Sequence, residues 1–236
     1  MIPTNLTAAL TSNAGSNITP LRKYLLKLLN PEAAKAPPKA QGLEGLFLHY
    51  ADQNEEVIGP EGIELLCNDL GISPSDRRVL ILAYIMGCDR MGYFSKQQFY
   101  AGCQRLHAKT LAQLKKALPQ LDAIVSPPPK FHSFYSFAFR FCLNEGQKIL
   151  ERDTAVEMLQ LVLPEGRFVS EFCEYLTFQS DYRFLNMDQW INFLKFSIEV
   201  REDMSNAGDN PAWPLLIDNF VEWHTSRVAA AKGGER

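Results

Sequence analysis

The side chains in this sequence that could act as covalent nucleophiles are its five cysteines. A cysteine thiolate can form a thioester, but the thiol becomes reactive only where a nearby cation or base lowers its pKa. Each cysteine lies among apolar residues, and their spacing contains no CxxC pair. Cys88 is the one candidate for an exposed thiol, because Asp89 and Arg90 follow it. We expect reduced, mostly buried thiols, and a ligase that uses Cys88 stays open as an alternative.

Histidines and acidic loops could bind metal ions. The four histidines lie far apart without HExxH or paired Cys/His spacing, so the sequence predicts no zinc site. Two loops that begin at Asp52 and Asp89 join helical segments, as in EF-hands, whose calcium loops need Gly at position 6 and Glu at position 12. Apolar or aromatic residues occupy both positions in both loops: Val57, Ile63, Phe94 and Tyr100. We expect an EF-hand-like scaffold without calcium, with a calcium-responsive sensor as an alternative.

An excess of acidic side chains near the C-terminus could attract a basic partner. Residues 186–222 contain seven Asp or Glu residues against Lys195 and Arg201, whereas residues 1–42 contain five Lys or Arg residues against Glu32. A surface of one charge steers partners of the opposite charge during association. The C-terminal part of the chain is therefore expected to present an acidic binding surface.

Length and composition exclude several functional classes. The chain has 236 residues, of which 46% are hydrophobic and 22% are charged, which is typical of a globular protein with one or two domains. A net charge of -3 argues against nucleic-acid binding. The sequence contains no membrane-spanning apolar run, no signal peptide and no Gly-rich phosphate loop. We expect a cytoplasmic or nuclear protein without a cofactor and without membrane contact.

The elements that position these side chains are helices. Residues 1–42 predict a flexible tail and linker, and helical periodicity dominates residues 43–126, the EF-hand-like half. The segment 79–88 is apolar on all sides and predicts a buried central helix, and Ser95 predicts the cap of the next helix. Residues 110–125 predict one further helix that ends before three prolines.

The C-terminal helical half is predicted over residues 130–228 and is followed by a short tail, 229–236. An aromatic run at its start predicts a buried helix. Asn186 and Gln189 resemble a capping box, so a helix should begin near Asp188. The residues that this helix should bury are Trp190, Phe193, Leu194 and Ile198. The fold class predicted for the whole chain is all-α.

Four segments together resemble the defective-in-cullin-neddylation family, specifically its potentiating neddylation domain, over residues 43–228. They are GPEGIELLCNDLGI, FSKQQF, FHSFYSFAFRFCLNEGQK and DMSNAGDNPAWPLLIDNFVEW. The last segment is the most specific. Residues 1–42 do not resemble the ubiquitin-binding module of some relatives, so the resemblance does not imply ubiquitin binding.

The resemblance implies a non-catalytic co-ligase that holds a charged E2 and a cullin together while a RING protein activates the thioester. The family's cullin-binding residues, an Asp, an Ala and an Asp, correspond to Asp188, Ala212 and Asp218, which we call the cullin-facing patch. They would contact the C-terminal winged-helix region of the cullin. From the residues alone, two carboxylates near helix N-termini are plausible without any partner, because the helix dipole favours them there.

The resemblance also implies an apolar pocket for the N-acetylated N-terminus of the neddylation E2. Acetylation would favour binding because a free ammonium loses its hydration on burial, whereas an acetyl amide loses much less. The matching residues are Ile63, Cys67, Val79, Leu82, Ala83, Met86, Phe94, Phe141, Met158 and Leu161. Each of them also suits an ordinary helical core.

The function implied is therefore an adaptor that promotes transfer of the ubiquitin-like modifier to a cullin lysine by proximity and orientation. Its partners would be the cullin, the E2 and the RING protein, with the adaptor itself a monomer. A cullin-binding inhibitor of neddylation remains an alternative, because the sequence does not distinguish activation from inhibition.

Overall fold

The computed structural model describes residues 42–52 and 56–233. The predicted tail over residues 1–42 thus lies outside the described residues except for Gly42, which begins the first helix. The chain divides into two compact units between Phe137 and Ala138. The first unit ends at Phe137 and the second begins at Ala138, so the division falls within one helix, α7 (Pro128–Phe141).

The first unit contains six further helices and two short strands in its described part. The helices are α1 (Gly42–Tyr50), α2 (Pro60–Leu70), α3 (Arg77–Met86), α4 (Lys96–Arg105), α5 (Leu111–Ala117) and α6 (Leu121–Val125). The strands β1 (Val57–Ile58) and β2 (Phe94–Ser95) pair antiparallel, with Val57 opposite Ser95 and Ile58 opposite Phe94. Each strand is followed by a helix, β2 at the next residue and β1 after Gly59. The two helix–loop–helix segments are therefore joined through their loops, while the comparison with EF-hands stays a prediction.

Local sequence explains where these helices begin and end. Pro60 starts α2, where its missing N–H costs nothing. The Ser95 side chain accepts a hydrogen bond from Gln98 N, and the Gln98 side chain accepts one from Ser95 N, which completes a capping box at α4. The predicted central helix is confirmed as α3, which buries all its residues from Val79 to Met86 except Tyr84.

The single helix predicted over residues 110–125 is wrong. The structure has α5, a 3₁₀ turn at Leu118–Gln120, and then α6. Pro119 lies inside the 3₁₀ turn, and a proline interrupts an α-helix because it lacks an N–H and its ring clashes with the preceding turn. The apolar spacing continues through the break, since Leu114, Leu118 and Leu121 are all buried.

The second unit repeats the pattern of the first. Its elements after α7 are β3 (Ile149–Glu151), α8 (Arg152–Val162), α9 (Val169–Phe178), β4 (Phe184–Asn186), α10 (Met187–Glu199) and α11 (Leu215–Gly233). The strands β3 and β4 pair antiparallel, with Leu150 opposite Leu185, and each runs straight into a helix. Neither pair of strands was predicted from the sequence. Because the strands are few and short, the all-α class is confirmed.

The core of the second unit is largely aromatic. Phe172 stacks on Phe193 with ring centroids 4.0 Å apart, and Phe220 packs edge-on against Phe172 at 5.1 Å. These contacts hold α9, α10 and α11 together. The predicted buried face of α10 is confirmed at Trp190, Phe193 and Leu194, but Ile198 is 65% exposed.

Ser197 occupies the position that the buried stripe reaches after Leu194, and its hydroxyl donates to the Leu194 carbonyl oxygen at 2.8 Å. The prediction that Ile198 is buried is therefore wrong, because the buried face of α10 continues through Ser197, whose hydroxyl group has a hydrogen-bond acceptor.

None of the helices in residues 42–52 and 56–233 is long and apolar enough to cross a membrane.

Candidate functional site

Asp188 lies in the first turn of α10, directly after β4. Asn186 caps this helix: its side chain accepts from Gln189 N at 2.8 Å, and the Gln189 side chain accepts from Asn186 N at 2.9 Å. The Asp188 carboxylate is exposed and accepts a hydrogen bond from Asn192 Nδ2 at 3.0 Å. A carboxylate in the first turn is stabilised by the helix dipole, and its second oxygen can still accept from a partner.

Ala212 and Asp218 flank the start of α11. Ala212 is exposed, and its backbone N–H donates to Asn210 Oδ1 at 3.0 Å, which fixes the turn before the helix. Asp218 is exposed in the first turn of α11. The following residue, Asn219, donates through Nδ2 to the Tyr182 hydroxyl at 2.8 Å.

That hydrogen bond connects the first turn of α11 to the segment leading into β4 and α10. The two helices also contact one another through their aromatic rings, because Phe196 of α10 packs against Phe220 of α11 at 5.9 Å. The three residues of the cullin-facing patch are all exposed. They lie at or just before the starts of two helices that pack together in the second unit. The arrangement offers two carboxylates and a small residue that leaves space for a partner's side chain.

Leu215 belongs to this surface and was missed from the sequence. It is 68% exposed and lies between Ala212 and Asp218 in the chain, at the first position of α11. Its exposed side chain adds apolar area to the surface between Ala212 and Asp218. The signal in the sequence was present, since Leu216, Ile217 and Phe220 supply the buried face and leave Leu215 outside it.

The predicted residues of the E2 pocket are divided between the two units. In the first unit, all seven are buried: Ile63, Cys67, Val79, Leu82, Ala83, Met86 and Phe94. Met86 packs closely on α4, because a Cβ added at Gly102 would approach Met86 Cγ to 2.2 Å. In the second unit, Phe141 and Met158 are buried and Leu161 is half-buried. The pocket itself stays a prediction.

The five cysteines offer no activated thiol. Cys88, expected to be the exposed one, is only 4% exposed, so that expectation is wrong. Gly87 has a φ of 74° and ends α3, and the N–H of Cys88 then donates to the Ala83 carbonyl oxygen, which turns the side chain inward. Burial raises the pKa of the thiols of Cys67, Cys88, Cys103 and Cys173 to about 12. Burial raises the pKa of the Cys142 thiol as well.

The acidic loops do not assemble a metal centre in the described part of the chain. No three His, Cys, Asp or Glu side chains lie close enough together there to hold an ion. In the second loop, Asp89 Oδ1 instead accepts a hydrogen bond from Gln98 Nε2 at 3.0 Å. Residues 53–55 of the first loop lie outside the described residues.

Comparison with known proteins identifies the family of this chain. Residues 113–223 match a family model described as cullin binding. The chain is 38% identical to DCN1-like protein 2 of Dictyostelium discoideum over 91% of this chain and 80% of that protein. It is 39% identical to DCN1-like protein 5 of Homo sapiens, over 77% and 76% of the two chains. This chain belongs to the DCN1-like family. The resemblance to the defective-in-cullin-neddylation family is therefore confirmed.

The DCN1-like assignment covers both units, although the cullin-binding model matches only part of the first. DCN1-like protein 4 of Drosophila melanogaster is 37% identical over 79% of this chain and 77% of its own length. The residues matched by the cullin-binding model, 113–223, include the whole cullin-facing patch. Family membership supports a neddylation-related function in which a cullin is the partner.

Proposed function

We propose that this chain is a scaffold-type co-ligase that binds a cullin and the neddylation E2 and promotes transfer of the ubiquitin-like modifier to a cullin lysine. The observation that carries the proposal is the cullin-facing patch. Its three residues are exposed at two helix N-termini within the segment that matches the cullin-binding model. Seven acids against two bases over residues 186–222 would steer a basic cullin surface towards it.

The contribution to rate is proposed to come from proximity rather than from chemistry at this chain's own side chains. Holding the thioester and the lysine in one complex raises their effective concentration, commonly to the millimolar range for linked sites. Buried thiols with raised pKa values suit this role, because a thioester intermediate on this chain would need an accessible thiolate. The RING protein in the same complex would activate the E2 thioester.

The E2 is proposed to bind through its N-acetylated N-terminus. The seven predicted pocket residues of the first unit are apolar, so a site lined by them would favour an acetylated methionine over a charged amine. Calorimetric titration with two peptides of the E2 N-terminus, one acetylated and one with a free amine, tests this part. We expect binding of the acetylated peptide alone, and equal affinities would contradict the requirement for acetylation.

The cullin assignment is tested with the triple variant Asp188→Ala, Ala212→Arg and Asp218→Ala. Its three sites are exposed, so the fold should be retained, whereas two charges are lost and a cation is introduced at the proposed contact. Affinity for a purified cullin–RING complex should fall at least about 100-fold, as expected when a charged contact at an interface is reversed. Unchanged cullin affinity in a folded triple variant would contradict the assignment.

A further inference from the structure

A groove lies beside the cullin-facing patch, between the end of α10 and the segment that connects α10 to α11. It is an open depression with a volume of about 360 Å³. The residues that line this α10 groove are Lys195, Glu199, Val200, Asn206, Asp209, Asn210 and Trp213. All of them belong to the second unit.

The inner wall of the groove is held in place by its own contacts. The Trp213 ring is 7% exposed, packs against Phe196 at 5.6 Å, and donates through Nε1 to the Ala207 carbonyl oxygen at 3.0 Å. Asn206 accepts from Arg201 N at 2.8 Å and donates to the Glu199 carbonyl oxygen at 3.1 Å. These bonds close the connecting segment onto α10, so the groove is formed before any partner binds.

The rim of the groove carries two carboxylates that other described side chains do not neutralise. Glu199 and Asp209 are exposed, and neither carboxylate forms an ion pair or hydrogen bond with another side chain in residues 42–52 and 56–233. Lys195 is the one cation among the seven lining residues, and its Nζ lies 5.6 Å from the centre of the Trp213 ring. The Lys195 ammonium thus already lies over the indole, and the two free carboxylates are the groups left to attract a further cation.

The groove is continuous with the proposed cullin contact. Asn210 and Trp213 line it, and they bracket Ala212 in the chain, whose backbone N–H is held by Asn210 Oδ1. A partner segment that crosses Ala212 would therefore pass beside two residues that line the groove.

We infer that the α10 groove binds a Lys or Arg side chain of the cullin segment that crosses Ala212, with Glu199 and Asp209 as its acidic partners. This inference rests on the proposed function and extends the contact beyond the cullin-facing patch. The carboxylates make charge-assisted bonds with the cation.

The test compares four forms of the full chain for affinity to one cullin–RING complex, at low and at physiological salt. They are the wild type, the triple patch variant, the groove variant Glu199→Gln with Asp209→Asn, and the control Glu145→Gln with Glu165→Gln. The control removes the same two negative charges from exposed loop positions of the second unit outside the groove.

We expect the groove variant to bind about five- to tenfold more weakly than the wild type at low salt, with a smaller difference at higher salt, as for two partly exposed ion pairs. The control should bind like the wild type. Wild-type affinity in the groove variant, or an equal loss in the control, overturns the inference while the patch variant still reports on the proposed function. A wild-type chain that fails to bind the complex overturns the proposed function itself.

Discussion

At the scale of single residues, the state of the thiols decides between an adaptor and a thioester-forming ligase. The pKa of Cys88 is raised to about 12, first by burial and then by the neighbouring Asp89 carboxylate, so the charged form is disfavoured twice. At pH 8 the thiolate fraction of such a group is about one in 10⁴, because each pKa unit is a factor of ten. A thiol in this state is a poor nucleophile.

The prediction for the thiols is that native protein resists alkylation. At pH 8, iodoacetamide should label none of the five cysteines at the rate of a free thiol, and the labelling rate should rise with pH as the thiolate fraction grows. Mass spectrometry of the digested protein gives the rate at each site, and urea-unfolded protein, in which all five should react, is the control. Rapid modification confined to the Cys88 peptide would contradict this prediction and support a thioester-forming ligase that uses Cys88.

Gly62 shows how one residue fixes two helices of the first unit. A Cβ at this position would lie 2.0 Å from the Tyr50 carbonyl oxygen and 2.8 Å from Ile58 Cγ2, so α2 passes directly against the end of α1. The first of these contacts is with backbone, which cannot rotate away. Gly62, the second glycine of the GPEGIELL segment, is therefore required for packing.

Gly62→Ala should destabilise the protein although alanine is the better helix former. The helix preference contributes about 1 kcal/mol in favour of alanine, but overpacking against backbone costs more, and we expect a net loss of about 1–3 kcal/mol. Chemical denaturation measures the difference in unfolding free energy. Gly208→Ala is the matched control, because nothing lies within 4 Å of its Cβ, and it should change stability by about 0.5 kcal/mol or less. A stabilised Gly62→Ala protein would show that the close approach does not exist.

At the scale of elements, four helices follow short strands: α4, α8 and α10 begin at the next residue, and α2 begins after Gly59. The second helix of each strand pair carries a capping box, at Ser95 with Gln98 and at Asn186 with Gln189. In α10 the same turn carries Asp188, so the cap that starts the helix also sets the position of the proposed cullin contact.

Loss of the Asn186 cap should therefore lower the stability of the protein. Asn186→Ala removes the acceptor for Gln189 N and should lower the unfolding free energy by about 1 kcal/mol, as is typical for a cap. Asn186→Ser keeps an acceptor and should retain most of that stability. Thermal and chemical denaturation of the three proteins give the comparison, and equal stability of all three would exclude a contribution from the cap.

The capping box at Asn186 and the cap at Ser95 could be predicted from the sequence because they depend on residues only a few positions apart. The strands β3 and β4 could not, because each has three residues and its partner lies far along the chain. Local periodicity also failed at Pro119 and at Ile198. At Pro119 the apolar spacing predicted one continuous helix, but the proline interrupts it with a 3₁₀ turn. At Ile198 the spacing predicted a buried residue, but Ser197, whose hydroxyl group donates a hydrogen bond to the Leu194 carbonyl oxygen, is buried instead.

At the scale of the whole molecule, the family and the all-α class followed from the sequence, but the surface beside the proposed contact did not. The formation of the α10 groove depends on how the segment between α10 and α11 folds back, through Asn206 and Trp213. The inward turn of Cys88 after Gly87 is likewise a property of backbone geometry. The sequence alone gives the residue types at such sites. Which side chains are exposed, and which have no hydrogen-bond partner, can be seen only once the fold is known.

The proposed function assigns this protein no chemistry of its own, so its central claim concerns the rate of a transfer between two other proteins. The direct measurement is single-turnover transfer of the modifier from preloaded E2 to a cullin–RING complex, with no addition, with this protein, and with the triple patch variant. We expect the wild-type chain to accelerate transfer and the variant, with Arg at position 212, to leave the basal rate unchanged. A rate unaffected or slowed by the folded wild-type chain would contradict the co-ligase proposal, and slowing would favour the inhibitor.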